Sequence, residues 1–369
     1  MNRGCLPLAG RGLAVIVHVW LATLCLAVLV FTPHSRAATQ EETNPFIWQS
    51  LVERLAKDGW DRDTVNFLYT KSGAVFDPNI MGNKVDALTE RRFAQRTQRP
   101  EKQSDLGENP SEIPLEQSGY RYYLKPWVIA WAREYTKENQ ALLERAYETY
   151  GVPTEFQVAI LLVESKLGST LGDRKAFDVL SSMALTADFS LLEPHLESLT
   201  STSRREYAKG YVAKRAQWAY TELSSLLKYA SANNQDPTTI PSSIYGAIGI
   251  CQFIPSNALR YGVDGNGDGR VDLFLLEDAI PSLANYLKQH GWTADLTEDE
   301  RDKILFAYNH STTYVRAISS IAVQLKNLSD DAPYSGGSCR ASGIRHEGYP
   351  NQHEPLSPRS SPSGHFSNS

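Results

Sequence analysis

The sequence predicts a mainly α fold. Apolar residues recur at helical intervals along most of the chain, while no sustained alternation of strand type and no fixed-period repeat is present. The chain has 369 residues, 41% of them apolar and 21% charged, enough to bury a globular core. The net charge of -5 argues against a general nucleic-acid binder, which is usually basic. It does not exclude a neutral glycan, which is held by hydrogen bonds and aromatic faces.

Residues 1–37 read as a secretory signal. Arg3 and Arg11 precede an apolar run from Leu13 to Phe31, and Ser35-Arg36-Ala37-Ala38 supplies small residues for cleavage. The mature chain is then expected in the periplasm. An uncleaved anchor is the alternative, because the run is nearly long enough to span a bilayer, and it would tie the chain to the membrane. Leu24 before Cys25 is too large for a lipoprotein signal. Cys5 and Cys25 leave with the signal, and two cysteines, Cys251 and Cys339, are too few for a disulfide framework. Both are expected to be free, although they could pair.

A helical N-terminal portion is expected over residues 44–140. Phe46, Leu51, Leu55, Trp60, Val65 and Leu68 set a helical pattern between Asn44 and Asp77. The polar stretch from Arg91 to Pro114 reads as a loop or surface strap. The pattern returns between Tyr120 and Tyr150 through Trp127, Ile129, Trp131, Tyr135, Leu142, Leu143 and Tyr147. A helical core is expected over residues 141–328. Residues 329–369 are rich in Ser, Pro, Gly and His and bury too little to offset their ordering entropy, so they read as a disordered tail.

Three segments carry candidate chemistry. In the first, Thr154 and Gln157 suggest a capping box at the start of a helix that continues through Val158, Ile160, Leu161, Leu162 and Val163. This helix is apolar on nearly every face, so it belongs in a core, and Gly168 is expected to end it. Glu164 near its end is out of place. Apolar surroundings and the negative end of the helix dipole both raise a carboxyl pKa, which suits a general acid. A plain solvent-facing residue, or an ion pair with Lys166 or Arg174, is the alternative. The second segment, Ser243 to Ser256, contains glycines that permit close approach of a ligand, with Gln252 and Ser243 able to bond sugar substituents. An ordinary turn entering a helix at Pro255 is the alternative. The third, Phe306 to Tyr314, gathers aromatic and amide side chains suited to pyranose rings and acetamido groups. His310 within it could act as a base, but a lone histidine is more often structural.

Together these segments resemble the B-type lytic murein transglycosylases, relatives of goose-type lysozyme within the lysozyme superfamily. The matching motifs are Val163-Glu164-Ser165-Lys166-Leu167-Gly168, Gly246-Ala247-Ile248-Gly249 with Gln252-Phe253-Ile254-Pro255-Ser256, and Tyr308-Asn309-His310-Ser311, in the family's order. The similarity extends over about 45–325 and is weakest before Ala141. It implies a lysozyme-like core, peptidoglycan glycan strands as substrate, no organic cofactor and a monomer. It also implies Glu164 as the catalytic acid/base, with Ser243, Gln252, Tyr308, Asn309 and Tyr314 lining the glycan cleft. Two features depart from the family. Only Thr293 to Leu305 separates Gly291-Trp292 from the third motif, so the β domain that the best-known members insert there is expected to be absent. Leu167 also stands where members often carry an aromatic residue. A hydrolytic muramidase and a non-catalytic glycan binder on the same fold are the rival readings, and the carboxylate at Glu164 speaks against the second.

Asp264-Gly265-Asn266-Gly267-Asp268-Gly269-Arg270-Val271-Asp272 resembles the start of an EF-hand, with alternating oxygen ligands and Gly at the sixth position. Leu275 occupies the twelfth position, where an EF-hand places Glu. The family resemblance implies a lengthened loop closed by Asp278. A structural Ca2+ would then be held by Asp264, Asn266, Asp268, Asp278 and the Arg270 carbonyl. An Asp/Gly-rich surface turn is the alternative. Within the three cleft motifs Glu164 is the one carboxylate, and Asp173 and Asp178 lie outside them. A single acid predicts that the substrate's N-acetyl oxygen and C6 hydroxyl complete the reaction, leaving a 1,6-anhydro ring on N-acetylmuramic acid.

Overall fold

The computed structural model describes residues 46–97 and 114–326, and these form a mainly α fold as expected. The signal or anchor segment, Cys5, Cys25, Cys339 and the tail at 329–369 lie outside the described residues. Among the described residues no helix is long and apolar enough to cross a membrane.

The expected N-terminal helical stretch is two helices, α1 (Gln49–Lys57) and α2 (Arg62–Ser72). Leu51, Leu55 and Val65 are buried, whereas Phe46 precedes α1 and is exposed. Asp61 starts α2 by accepting the Thr64 N–H at 2.7 Å, and Gly73 closes it in the left-handed conformation. Next comes α3 (Asn79–Thr97), which corrects the reading of Arg91 onward as a loop. Residues 98–113 of that stretch lie outside the described residues. The polar composition hid α3 because the helix is held by docking on the long helix α9 (Thr202–Ala232) rather than by a broad apolar face. Phe93 meets Tyr207 edge-on at 6.0 Å, and the Arg204 guanidinium lies over the Phe93 ring.

Two 3-10 turns, Leu115–Gln117 and Gly119–Leu124, lead to α4 (Pro126–Glu138), α5 (Gln140–Tyr150) and α6 (Thr154–Ser165). The residues just after Tyr120 are therefore a tighter turn than the expected α-helix. The expected capping box is also corrected. Thr154 is the first residue of α6 after Pro153, and no side chain caps the helix. Gln157 instead turns inward and donates to the Val152 and Leu143 carbonyls at 2.7 and 3.2 Å. A capping box does exist, at Thr297 and Glu300 in front of α12.

Strand β1 (Arg174–Lys175) is followed by α7 (Ala176–Leu185), α8 (Phe189–Leu192) and the long α9 (Thr202–Ala232). Strand β2 (Pro241–Ser242) pairs antiparallel with β1, Arg174 opposite Ser242. Then come α10 (Pro255–Tyr261), α11 (Leu276–Gln289), α12 (Glu298–Tyr308) and α13 (Thr312–Lys326). The chain passes from Trp292 through a short turn into α12, with no β domain between them.

One contiguous apolar core runs from Trp48 to Ala322. The most extensive helix pair is α7 on α9, and Ala208, Ala216 and Ala219 of α9 are buried. At the other side α6 is covered by α13, α4, α5 and α11. Residues Phe156 to Leu162 are all buried, which explains an apolar helix with no polar face. Each fully buried leucine or isoleucine here contributes about 1.5–3 kcal/mol.

Candidate active site

Glu164 sits in the last turn of α6. The helix ends one residue later, at Ser165, and not at Gly168 as expected. Lys166, Leu167 and Gly168 all have positive φ, at 50°, 58° and 87°. Two non-glycine residues in that region are strained, so the turn is held by its surroundings. Leu167 is buried, its N–H donates to the Leu161 carbonyl at 3.0 Å, and the Gly168 N–H donates to Ser165 Oγ at 2.9 Å. This turn reverses the chain straight after Glu164 and keeps the carboxyl at the edge of the core.

The carboxyl is enclosed by tyrosines. Tyr314, buried on α13, donates its hydroxyl to Glu164 Oε1 at 2.8 Å. Tyr120 meets Tyr314 edge-on at 6.0 Å, and Tyr308 stacks on it at 6.4 Å. Tyr123 donates to the Val163 carbonyl at 3.3 Å. Burial raises the pKa of Tyr120 and Tyr123, and the nearby Glu164 charge adds to it. Burial pushes Glu164 itself up to about 7, against the opposing hydrogen bond from Tyr314. No ion pair joins Glu164 to Lys166 or Arg174 among the described residues. The Lys166 ammonium lies 5.9 Å from the Tyr122 ring centre, and Arg174 pairs with Asp77 at 3.3 Å. Tyr120 and Tyr123 were missed in the sequence. Their signal was the aromatic run Tyr120-Arg121-Tyr122-Tyr123, which read simply as helical patterning.

The second motif forms a tight loop. Ser243 Oγ accepts the Ala247 N–H at 3.1 Å, and Ile248 bridges to Phe253. A Cβ on Gly246 would lie 2.7 Å from Leu180, and one on Gly249 would lie 2.4 Å from the Leu273 Cβ, both at positive φ. Gln252, at φ 49°, donates Nε2 to the Gly249 carbonyl at 2.9 Å. Ser243 and Gln252 thus shape the loop with part of their hydrogen-bonding capacity and keep the rest. Tyr308 donates its hydroxyl to the Cys251 carbonyl, which ties the third motif to the second. Asn309 ends α12 and is half-buried. His310 is exposed, with its ring against Phe306. Cys251 is free and buried, and burial pushes its thiol well up.

Among the described residues no other carboxylate shifts Glu164. Glu222 is buried on α9, but its two oxygens accept the Ser256 N–H and hydroxyl, both at 2.9 Å, at the start of α10. Asp278 is buried in the first turn of α11.

The acidic loop closes on Asp278. Asp264 accepts the N–H groups of Gly267, Asp268 and Gly269 at 2.7, 3.1 and 2.8 Å. Asn266 and Asp268 accept the next N–H groups but one, and Arg270 is exposed. Asp278 accepts the Gly265 and Asp272 N–H groups at 2.9 and 2.7 Å. Burial raises its pKa, and the Asp264 charge adds to that. Among the described residues no three His, Cys, Asp or Glu side chains converge as a metal cluster. The loop's carboxylates are instead taken up by backbone N–H groups.

Residues 50–301 match the Transglycosylase SLT domain family. Over 165 residues the chain is 35% identical to membrane-bound lytic murein transglycosylase B of Escherichia coli (strain K12). That stretch is 45% of this chain and 37% of the relative, so the chain spans little more than a third of that protein's length. Among solved structures, the fold is similar to the Escherichia coli lytic transglycosylase Slt35 in complex with bulgecin A. The TM-score is 0.56 at 20% identity, over 76% of this chain and 92% of that one. The calcium complex of Slt35 matches with a TM-score of 0.54, at the same identity and coverage. SltB3 from Pseudomonas aeruginosa in complex with NAG-anhNAM-pentapeptide matches with 0.56 at 20% identity, over 76% of this chain and 79% of that one. With more than half of its length matched to one family, the chain belongs to the Transglycosylase SLT domain family.

Proposed function

We propose that this chain is a lytic transglycosylase that cleaves the bond between N-acetylmuramic acid and N-acetylglucosamine in peptidoglycan and leaves a 1,6-anhydro ring. The observation that carries the reading is Glu164, a carboxyl raised to about 7 by burial, with no second carboxylate acting on it among the described residues. A group that keeps a substantial protonated fraction near neutral pH can donate to the glycosidic oxygen as the bond breaks. Positive charge then develops at the sugar carbon, and the neighbouring N-acetyl oxygen stabilises it. Glu164, now a carboxylate, takes the proton of the C6 hydroxyl, whose oxygen closes on the sugar carbon. Because that hydroxyl is tethered, it outcompetes water. The cycle returns Glu164 to its acid form.

In this reading Tyr314 positions the carboxyl, and Ser243, Gln252, Tyr308 and Asn309 bind the glycan. The loop Asp264–Asp272 with Asp278 holds a structural Ca2+ through Asp264, Asn266, Asp268, Asp278 and the Arg270 carbonyl. The Slt35 structure solved with calcium supports the choice of ion. The basic and apolar N-terminus supports export to the periplasm, where this substrate lies, with residues 44–140 as a helical portion and 141–328 as the catalytic core.

The test is Glu164→Gln, which keeps shape and the Tyr314 bond but has no proton to transfer. Release of soluble fragments from purified peptidoglycan is expected to fall by about 10²-fold or more while sedimentation with the wall is retained. Activity near the wild-type level would remove Glu164 from the role of acid. Sedimentation by a wild type that releases no fragments would leave a glycan-binding protein.

A further inference from the structure

An aromatic and basic patch lies beside the turn that follows Glu164. Tyr123, which bonds the Val163 carbonyl, meets Tyr122 edge-on at 5.3 Å, and Tyr122 meets Trp127 edge-on at 5.4 Å. Trp127 stands in the first turn of α4 and is 56% exposed. The ammonium groups of Lys125 and Lys166 lie 5.4 and 5.9 Å from the Tyr122 ring centre, and Lys125 is also 6.0 Å from that of Trp127. We propose that this patch is an outer subsite for a sugar with a free carboxylate, N-acetylmuramic acid whose lactyl group has lost its peptide stem. The proposal rests on the reading of the chain as a peptidoglycan-cleaving enzyme.

The patch combines what a sugar ring needs with what an anion needs. An indole open to solvent is a platform for a pyranose, whose C–H groups lie against the ring while its hydroxyls stay in water. Lys125 and Lys166 are exposed and form no ion pair among the described residues, in a chain whose net charge is -5. Both are gathered around one ring, so their charge is concentrated at the edge of the platform. Neutral N-acetylglucosamine offers these cations nothing. N-acetylmuramic acid with its stem attached offers no carboxylate at the sugar either, because the lactyl carboxyl is tied up as an amide. Hydrolysis of that amide consumes water, releases the stem amine and frees the lactyl carboxylate. The charge then stands one short ether arm from the stacked ring, whereas stem carboxylates lie further out along a peptide. The patch is also fixed relative to the acid. Tyr123 ties it to the backbone of Val163, and Lys166 sits two residues after Glu164 in the turn of positive φ. The class of reaction that prepares the favoured substrate is therefore removal of the stem at its lactyl amide.

The experiment measures binding by calorimetry in full-length Glu164→Gln, so that the strands survive. Three soluble preparations of the same strands are compared: stem-free, stem-free with the lactyl carboxylates converted to methylamides, and stem-bearing. The parent is expected to bind the stem-free carboxylate form about tenfold more tightly than the amide form, the scale of one charge-assisted hydrogen bond. That margin should shrink as salt is raised. Adding Lys125→Gln together with Lys166→Gln is expected to abolish the margin and leave binding of the amide form unchanged. Trp127→Ala should weaken both forms alike. The lysines are surface residues, so their double variant reports even where Trp127→Ala misfolds. Equal binding of the two stem-free forms by the parent, or a margin that survives loss of both lysines, overturns the proposal. Tighter binding of stem-bearing strands that depends on the lysines assigns them to the stem and overturns it as well. The expected margin in a protein whose wild type releases no fragments upholds the subsite and overturns the enzymatic reading instead.

Discussion

A buried carboxyl group that favours its proton costs the protein stability once it ionises. Glu164 titrates near 7 in the fold against an ordinary 4.5. The folded state therefore binds the proton more tightly than the unfolded chain. The stability gained from this is fully present below about pH 4.5 and is lost as pH rises through about 7, roughly 3 kcal/mol in all. Glu164→Gln carries no such penalty. It is expected to melt roughly 5 °C above the wild type at about pH 8 and to match it at about pH 4. Equal melting differences at the two pH values would mean that Glu164 is not held in its acid form. Tyr314 opposes burial by donating to the carboxylate. Tyr314→Phe should raise the Glu164 pKa further and move the alkaline fall of kcat/KM from about pH 7 to higher pH, together with a loss of rate. An unmoved pH profile would assign Tyr314 a purely structural role. Glu164 stood out in the sequence as an acid in an apolar helix, but only the three motifs in order raised it above a surface residue or an ion pair. Tyr120 and Tyr123 did not stand out, because they reach Glu164 only after the 3-10 turn at Gly119–Leu124 docks on α13 and α6.

Among the elements, the acidic loop shows how far spacing alone carries. The repeat of Asp264, Asn266 and Asp268 was plain in the sequence, but Asp278 is ten residues further on and is brought in by the start of α11. A Ca2+ bound only by the folded chain stabilises it by mass action. Chelator is expected to lower the wild-type melting temperature by roughly 5 °C, and Asp264→Ala should abolish that response. Superimposable melting curves with and without chelator would exclude the ion. The other elements divide by what shapes them. Helices with apolar stripes, such as α1 and α2, were visible as periodicity. The polar α3 was not, because its position depends on rings and guanidinium groups meeting α9 across a long sequence separation. The start of α6 was misread for a related reason: Gln157 satisfies buried carbonyls of the α5–α6 connection, a use that local sequence does not reveal.

Over the whole molecule, a single core joins the N-terminal helices to the three cleft motifs, and α6 lies where α13, α4, α5 and α11 converge. This convergence buries Glu164 beside Tyr314. The proposed chemistry draws its second reactant, the C6 hydroxyl, from the substrate itself. The order of the motifs made the fold class legible, while the basic aromatic patch beside Glu164 came into view only once the Gly119–Leu124 turn was docked on α6. The most direct measurement is mass spectrometry of the muropeptides that the wild type releases from purified peptidoglycan. The account predicts non-reducing fragments ending in 1,6-anhydro-N-acetylmuramic acid, each lighter by one water than the hydrolysis product. Reducing N-acetylmuramic acid as the main new terminus would contradict it and would require a second group that delivers water to the sugar carbon.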